Sequence, residues 1–307
     1  MSNLVDLEIF ARVVTAESLS AAGREMGLSP AVVSRRLQRL EERLGTRLLQ
    51  RTTRRIALTE AGQGFYERVV AILASIEEAE GFVAGRSGRV AGALRVAAPT
   101  SFGRMHIAPH LGPILDAHPD LAIDLELSDE FVDIVGAGYD LAIRIGELPD
   151  SSLVARRLAP VHRVLCAAPD YLARRGRPET VADLARHELL AARHQDPWQL
   201  EGPEGPVQVR SAGRLRTNSS EVVREAVVAG LGIALRSTWD VGPELSAGRL
   251  AVVLPAYRAS RKVAVYAVYP SRAFLPAKVR VFIEHLAGRY GPEPYWDIGL
   301  EAVLAAP

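Results

Sequence analysis

At 307 residues with 48% hydrophobic content, the chain can bury a substantial core, and its size suggests two or three units. Its formal net charge is only +1, from thirty-five arginines and two lysines (Lys262, Lys278) against thirty-six acids, so arginine alone is no sign of a DNA contact. No apolar run approaches the roughly 18 residues of a membrane span, Asp6 and Glu8 do not suit a secretory signal, and the single Cys166 rules out an internal disulfide; all of this suits a reducing cytoplasm.

The first predicted element is an amphipathic helix over 4–16, with Leu4, Leu7, Phe10, Ala11 and Val14 on one face. A short helix over 20–27 and the turn Leu28-Ser29-Pro30 lead into an arginine-rich helix that runs to Leu44. Ser29 suits the N-cap, and Pro30 suits the first helical position, where a missing N–H costs nothing. Val33, Leu37, Leu40 and Leu44 form one stripe, which leaves Ala31, Ser34, Arg35 and Gln38 on the opposite face. Gly45 is a stop signal, and 48–58 reads as a hairpin carrying Arg51, Arg54 and Arg55. Residues 29–58 hold eight arginines against Glu41 and Glu42, a local net charge of +6. Two helices on a tight turn followed by a basic wing are suited to reaching into a DNA groove. Ser29, Pro30, Ala31, Ser34, Arg35, Gln38, Arg51 and Arg54 are the candidate DNA contacts. A solvated basic helix, with Arg39 and Arg43 paired to neighbouring acids, would show the same periodicity.

The runs Ser20-Ala21-Ala22, Leu28-Ser29-Pro30-Ala31-Val32-Val33-Ser34-Arg35-Arg36-Leu37, Leu40-Glu41-Glu42-Arg43-Leu44-Gly45, Arg51-Thr52-Thr53-Arg54-Arg55 and Leu58-Thr59-Glu60-Ala61-Gly62 together resemble the N-terminal winged helix-turn-helix of LysR-type transcriptional regulators. Leu19 stands where that family often has an aromatic residue and should fill the same core site. The resemblance implies a winged helix-turn-helix over 1–58 that binds double-stranded operator DNA.

Thr59 can cap a helix running to about Gly85, in which Phe65, Val69, Ile72, Ile76 and Val83 repeat as a heptad seam with Ala79 as its small member. Such a stripe packs either on its own domain or on a second copy. The resemblance points to a linker and dimerisation helix over 59–86, to a homodimer or homotetramer, and to RNA polymerase as a partner if the chain is an activator. Residues 85–92 form a glycine-rich hinge.

Strand candidates follow at 93–98, 121–127, 141–145, 161–168, 232–235 and 263–269, and helix candidates at 105–117, 170–174, 181–185, 219–229 and 276–289. This alternation argues for α/β units with parallel sheets. The resemblance implies a two-lobed, periplasmic-binding-protein-like (type 2) α/β regulatory domain over 91–297. Lobe I would comprise about 91–160 and 263–297, and lobe II about 161–262.

In such lobes ligands sit beyond the carboxyl ends of strands, near helix N-termini. The turns Pro99-Thr100-Ser101-Phe102-Gly103, Ser128-Asp129, Arg144-Ile145-Gly146-Glu147 and Arg216-Thr217-Asn218-Ser219-Ser220 occupy those places. By resemblance, Thr100, Ser101, Phe102, Ser128, Arg144, Asn218 and Ser219 are the candidate effector contacts in a cleft between the lobes. Ordinary helix capping accounts for Ser and Asn at such positions equally well, and Arg144 can instead brace Asp129, Asp140 or Glu147. An anionic metabolite would suit amides plus one arginine, although Asp129 and Glu130 oppose it.

His106 and His110 have helical metal-ligand spacing, but Pro109 interrupts it and no third ligand is near in sequence. Cys166 lies in an apolar run as a small hydrophobe. Trp198, Tyr295 and Trp296 read as packing residues, and Gly230 and Gly232 as easing a helix-to-strand turn rather than as a dinucleotide fingerprint. No nucleophile elbow, zinc-protease motif or P-loop is present. The function expected is therefore a DNA-binding regulator with a small-molecule effector, no cofactor and no catalytic residue. The competing reading is an enzyme or small-molecule-binding protein with a nonspecific DNA-binding appendage.

Overall fold

A computed structural model describes the chain except for residues 1–3, 17, 52–55, 84–89, 131, 149–152, 212, 261, 271–274 and 306–307. It opens with three helices, α1 (Leu4–Ala16), α2 (Leu19–Glu25) and α3 (Pro30–Leu44), then strands β1 (Leu49–Arg51) and β2 (Ile56–Leu58), then the long α4 (Glu60–Val83). The local chemistry sets the boundaries. Ser18 Oγ accepts from Ala21 N–H and Ser29 Oγ from Val32 N–H, Pro30 starts α3, and Gly45 at φ 66° ends it. Leu37, Leu40, Val33, Phe10, Val13 and Val69 are sealed in one core. Leu44, expected in the same stripe, is 38% exposed, because the last turn of α3 extends beyond the cover of that core.

The hairpin is held to its surroundings by polar contacts. The Glu41 carboxylate accepts from Leu48 N–H at 2.8 Å and Leu49 N–H at 3.0 Å. Thr59 Oγ1 donates to Arg47 O and accepts from Gly62 N–H at 2.9 Å, which makes it the N-cap of α4. A side chain at Gly62 would put its Cβ 2.0 Å from Leu48 O. The start of the heptad seam packs at home: the Phe65 ring lies 5.5 Å from Phe10, and Val69 is fully buried. Ile72, the next member of the seam, is 46% exposed.

Lobe I begins with β3 (Gly92–Ala98), followed by a continuous helical run made of α5 (Thr100–Phe102), a π-turn (Gly103–Ile107), a 3-10 turn (Ala108–His110) and α6 (Leu111–Ala117). The predicted helix at 105–117 thus starts earlier and changes pitch, with Pro109, which has no N–H to donate, inside the 3-10 turn. Strands β4 (Leu121–Leu127), β5 (Leu141–Gly146) and β6 (Val154–Pro160) follow. The strand expected over 161–168 is shorter. Pro160 closes β6, and the chain crosses at Val161 and His162 into lobe II, where β7 (Arg163–Ala167) begins.

Lobe II continues with α7 (Pro169–Arg175), a 3-10 turn (Val181–Arg186), β8 (Leu189–Leu190), β9 (Trp198–Gly202), β10 (Gly205–Val209), α8 (Ser220–Val228), β11 (Ile233–Ser237), α9 (Thr238–Ser246) and β12 (Ala251–Val252). Then β13 (Ala264–Tyr269) returns to lobe I, followed by α10 (Ala277–Tyr290), a 3-10 turn (Tyr295–Asp297) and α11 (Glu301–Ala305). The lobe I sheet runs β4-β3-β5-β13-β6 and the lobe II sheet β12-β7-β11-β8, with β9 and β10 as a separate hairpin. Neither sheet is fully parallel: β13 is antiparallel to both neighbours, and β11 is antiparallel to β7. The returning strand enters from the far lobe and so runs against the strands it joins.

Each lobe has its own core. Leu94, Val96, Phe102, Val265 and Phe282 anchor the first, and Leu165, Cys166, Trp198, Val227 and Ile233 the second. Residues 132–139 join two parts of the molecule: Val135 is buried in the core of the N-terminal unit, while Ile134 and Tyr139 pack with Ala97 and Val268 of lobe I. Gly138, at φ 68°, lies so close to α1 that a Cβ there would be 2.8 Å from Thr15. Among the described residues no helix is long and apolar enough to cross a membrane.

Candidate nucleic-acid interface and interlobe cleft

Helix α3 turns Ser29, Pro30, Ala31, Arg35 and Gln38 outward, opposite the buried Val33, Leu37 and Leu40, with Ser34 half-buried at the edge. The local charge is less free than the arginine count suggests. Asp6 of α1 holds Arg36 at 3.0 Å and Arg43 at 3.8 Å, a pairing that only the tertiary fold creates. Gln38 Nε2 donates to Glu42 Oε1 at 3.0 Å. Arg35, Arg39 and Arg47 are exposed, and among the described residues their guanidinium groups have no protein partner. Arg51 ends β1, its side chain undescribed, and Arg54 lies outside the described residues. The interface therefore offers small residues for close approach, a hydroxyl, an amide and unpaired guanidinium groups on one side of an embedded helix.

A cleft of about 920 Å³ lies between the lobes. Of the sequence-predicted effector contacts, Ser101, Ser128 and Arg144 line it. Ser128 Oγ accepts from Glu130 N–H, and Arg144 Nη2 donates to Val132 O at 2.8 Å. The other four do not line it. Phe102 is fully buried among Trp239, Tyr290, Trp296 and His106, at ring separations of 5.0–5.8 Å, because partners from distant parts of the chain close around it. Asn218 is exposed outside the cleft. Ser219 is the N-cap of α8, its Oγ accepting from Val222 N–H. Thr100 donates its N–H at 2.9 Å to Oδ1 of Asp129, which is itself a lining residue.

Sequence reasoning missed several lining groups. Ser220, one residue past the expected contact, is a hub: its Oγ accepts from Gln195 Nε2 and Arg236 Nη1, both at 3.1 Å. Arg236 is 2% exposed and grips Asp240 four residues on, a spacing that was legible. Asp240 also faces Arg224 at 3.7 Å. Arg163 is left to donate to Leu235 O, and burial, with repulsion from Arg236, pushes its pKa down to about 10. Burial also lowers the pKa of Arg144. Ser101 Oγ and Trp239 Nε1 are buried in the lining with no hydrogen-bond partner among the described residues.

Behind the cleft wall, His106 is 5% exposed. Its Nε2 lies 2.9 Å from Trp239 O, which can only accept, so Nε2 carries the proton and Nδ1 accepts from Tyr295 Oη–H at 2.7 Å. Burial pushes its pKa down to about 4. His110 Nε2 also meets Tyr295 Oη, at 3.2 Å, and among the described residues no group of three or more His, Cys, Asp or Glu is placed to hold a metal ion. Cys166 is fully buried and burial pushes its pKa up to about 12, the behaviour of a small hydrophobe.

Comparison with known proteins agrees with this geometry. Residues 4–63 match the family described as bacterial regulatory helix-turn-helix protein, lysR family, and residues 87–291 match the LysR substrate binding domain. The chain is 38% identical to the HTH-type transcriptional regulator DmlR of Escherichia coli (strain K12) over 302 residues, 97% of each chain. It is likewise 38% identical to the HTH-type transcriptional activator TtdR of the same strain over 287 residues, 92% of each. The full-length structure of the Vibrio cholerae virulence activator AphB aligns with a TM-score of 0.59 at 30% identity, covering 94% of this chain and 99% of that one. LysR-type regulators bind operator DNA and act as oligomers. With a helix-turn-helix domain at one end and a two-lobed regulatory domain at the other, this chain belongs to the LysR family of DNA-binding transcriptional regulators and is not an enzyme.

Proposed function

We propose that α3 enters the major groove with Ser29, Pro30, Ala31, Ser34, Arg35 and Gln38 toward base edges and phosphates, while Arg51 and Arg54 of the wing meet the backbone. The winged unit spans 1–58, the linker helix 59–86 and the regulatory domain 91–297. Two copies join through the exposed part of α4, and two dimers form a tetramer that presents paired readers to a two-fold related site in the cytoplasm. RNA polymerase becomes a partner if the chain activates. The observation that carries the DNA reading is the exposed, unpaired Arg35 beside Ser29 and Ala31, on the face opposite a sealed stripe.

A small-molecule effector occupies the interlobe cleft and favours one arrangement of lobes, and so one geometry of the oligomer on DNA. The buried Ser101 Oγ and Trp239 Nε1 in the cleft wall support that reading, since among the described residues each lacks a hydrogen bond that a ligand would supply. The test is a genome-wide pull-down of DNA fragments with purified protein near physiological salt, followed by sequencing. Enrichment of a few imperfectly two-fold symmetric sites is expected; uniform retention of all fragments would mean that the interface senses only phosphate charge.

A further inference from the structure

The cleft already holds one carboxylate, and it comes from the protein. Asp129, in the loop after β4, spans the two lobes: Oδ1 accepts from Thr100 N–H of lobe I at 2.9 Å, and Oδ2 accepts from Ser220 N–H of lobe II at 3.3 Å. The second donor heads α8, a nine-residue helix whose free N–H groups favour an anion. Arg104 and Glu221 add a second bridge between the same lobes at 3.0 Å, but the Arg104 side chain is largely exposed and that of Glu221 partly so, and their contribution is small.

Three other donors of the lining lack an anionic acceptor. Ser101 is 2% exposed and Trp239 7% exposed, and among the described residues neither Ser101 Oγ nor Trp239 Nε1–H has a partner. Arg163 also lines the cleft, and among the described residues the one hydrogen bond of its guanidinium is to a main-chain carbonyl, while Asp240 is taken by Arg236 and Arg224. An indole N–H and a guanidinium can only donate. The lining also carries Glu130, Glu147 and Glu201, but these three are exposed, while the half-buried Asp129 is already committed to main-chain N–H groups.

We propose that the cleft takes a small carboxylate, and that Asp129 holds the carboxylate position between Thr100 and Ser220 until a ligand carboxylate displaces it. This rests on the cleft being the effector site. Displacement exchanges one carboxylate for another at the two N–H groups, so the charge at that position is conserved. It also offers the ligand what Asp129 does not satisfy: the Ser101 hydroxyl, the Trp239 indole N–H and the Arg163 guanidinium. The side chain that fills the position thereby sets both the ligand class and the threshold concentration at which a ligand competes.

The test uses the purified full-length protein as wild type, Asp129→Ala and Asp129→Asn. Each is titrated with sodium acetate, with acetamide as the neutral isostere and with sodium chloride at matched ionic strength. Thermal melting and the fluorescence of Trp198 and Trp239, both in the cleft lining, are recorded. Asp129→Ala should melt below wild type and be restored by acetate but not by acetamide, with half-saturation at least about tenfold lower than in wild type. Asp129→Asn, which keeps one acceptor oxygen, should lie between them, and it carries the test if the alanine variant does not fold. Equal responses of all three proteins to acetate, or equal effects of acetate and acetamide, would overturn the proposal. Operator affinity is measured in the same titrations. Acetate binding to Asp129→Ala without any change in operator affinity would leave Asp129 as the place-holder and sink the effector reading instead.

Discussion

Burial of His106 makes the stability of the regulatory domain sensitive to acid, and the size of the effect can be worked out. The folded pKa is about 4, against 6.5 for a free imidazole. A base whose pKa falls on folding stays neutral in the native state while the unfolded chain takes up a proton. Stability is therefore full above pH 6.5, declines as pH falls below it, and the whole contribution is gone below about 4. Between about pH 7.5 and 4.5 the linkage amounts to roughly 2.5 kcal/mol. Tyr295 and Trp239 O fix the ring, and His110, which shares Tyr295, adds repulsion in the same direction. In His106→Gln the amide can still donate toward Trp239 O, but the titrating group is gone. At neutral pH the variant should be less stable by about 1 kcal/mol through the altered contact with Tyr295. Guanidinium midpoints followed by circular dichroism, for both proteins across this pH range, measure the gap. It should shrink and reverse sign toward acid, while carboxylate titration, common to both proteins, cancels. A gap that stays constant with pH would refute the reasoning and place the proton elsewhere.

The DNA interface is tested by a pair of substitutions: Arg35→Ala should relax base preference by about 1–3 kcal/mol, whereas Arg51→Ala should weaken all sequences and flatten the salt dependence. Fluorescence anisotropy on operator and random duplexes separates them, and equal losses on both duplexes for Arg35→Ala would remove its base-reading role. Gly62→Ala forces a Cβ against Leu48 O, so the wing must shift from α4; operator affinity should collapse in gel shifts while the regulatory domain still melts normally. Arg236→Met leaves Asp240 with only the more distant Arg224, and should lower stability by about 3–5 kcal/mol. The double change Arg236→Met with Asp240→Leu should recover most of that in the same denaturation assay, and no recovery would mean that Arg236 matters through Ser220 instead.

The parts legible in the sequence were those governed by near neighbours. Ser29, Pro30 and Gly45 cap α3 through atoms within a few residues, and Val33, Leu37 and Leu40 follow from helical period alone. What escaped depends on distant partners. Asp6 removes two arginines from the basic face across 30 and 37 residues of chain, and nothing in the α3 segment announces it. Phe102 was read as a cleft residue because its turn is one, yet its ring is taken by Trp239, Tyr290 and Trp296. Ser219 and Ser220 are indistinguishable in sequence, and only the start of α8 decides that the first is the cap and the second the lining residue. Arg236 was passed over because a lone arginine in an apolar strand reads as an exception, although Asp240 four residues on was the clue.

Residues 132–139 have one further consequence. Arg144, in the cleft wall, donates to Val132 O, and three residues later Val135 is sealed into the core of the winged unit, where Gly138 admits Thr15. The reading head is thus seated on lobe I as well as joined to it by α4. In an oligomer such seated heads have a preset span and rotational phase. Since one turn of B-DNA takes about 10.5 base pairs, inserting about 5 base pairs between half-sites would turn one of them to the far side of the duplex. A regulator of this build should be stringent about the spacing between its half-sites as well as about their sequence, and a ligand that shifts Arg144 would change which spacing fits.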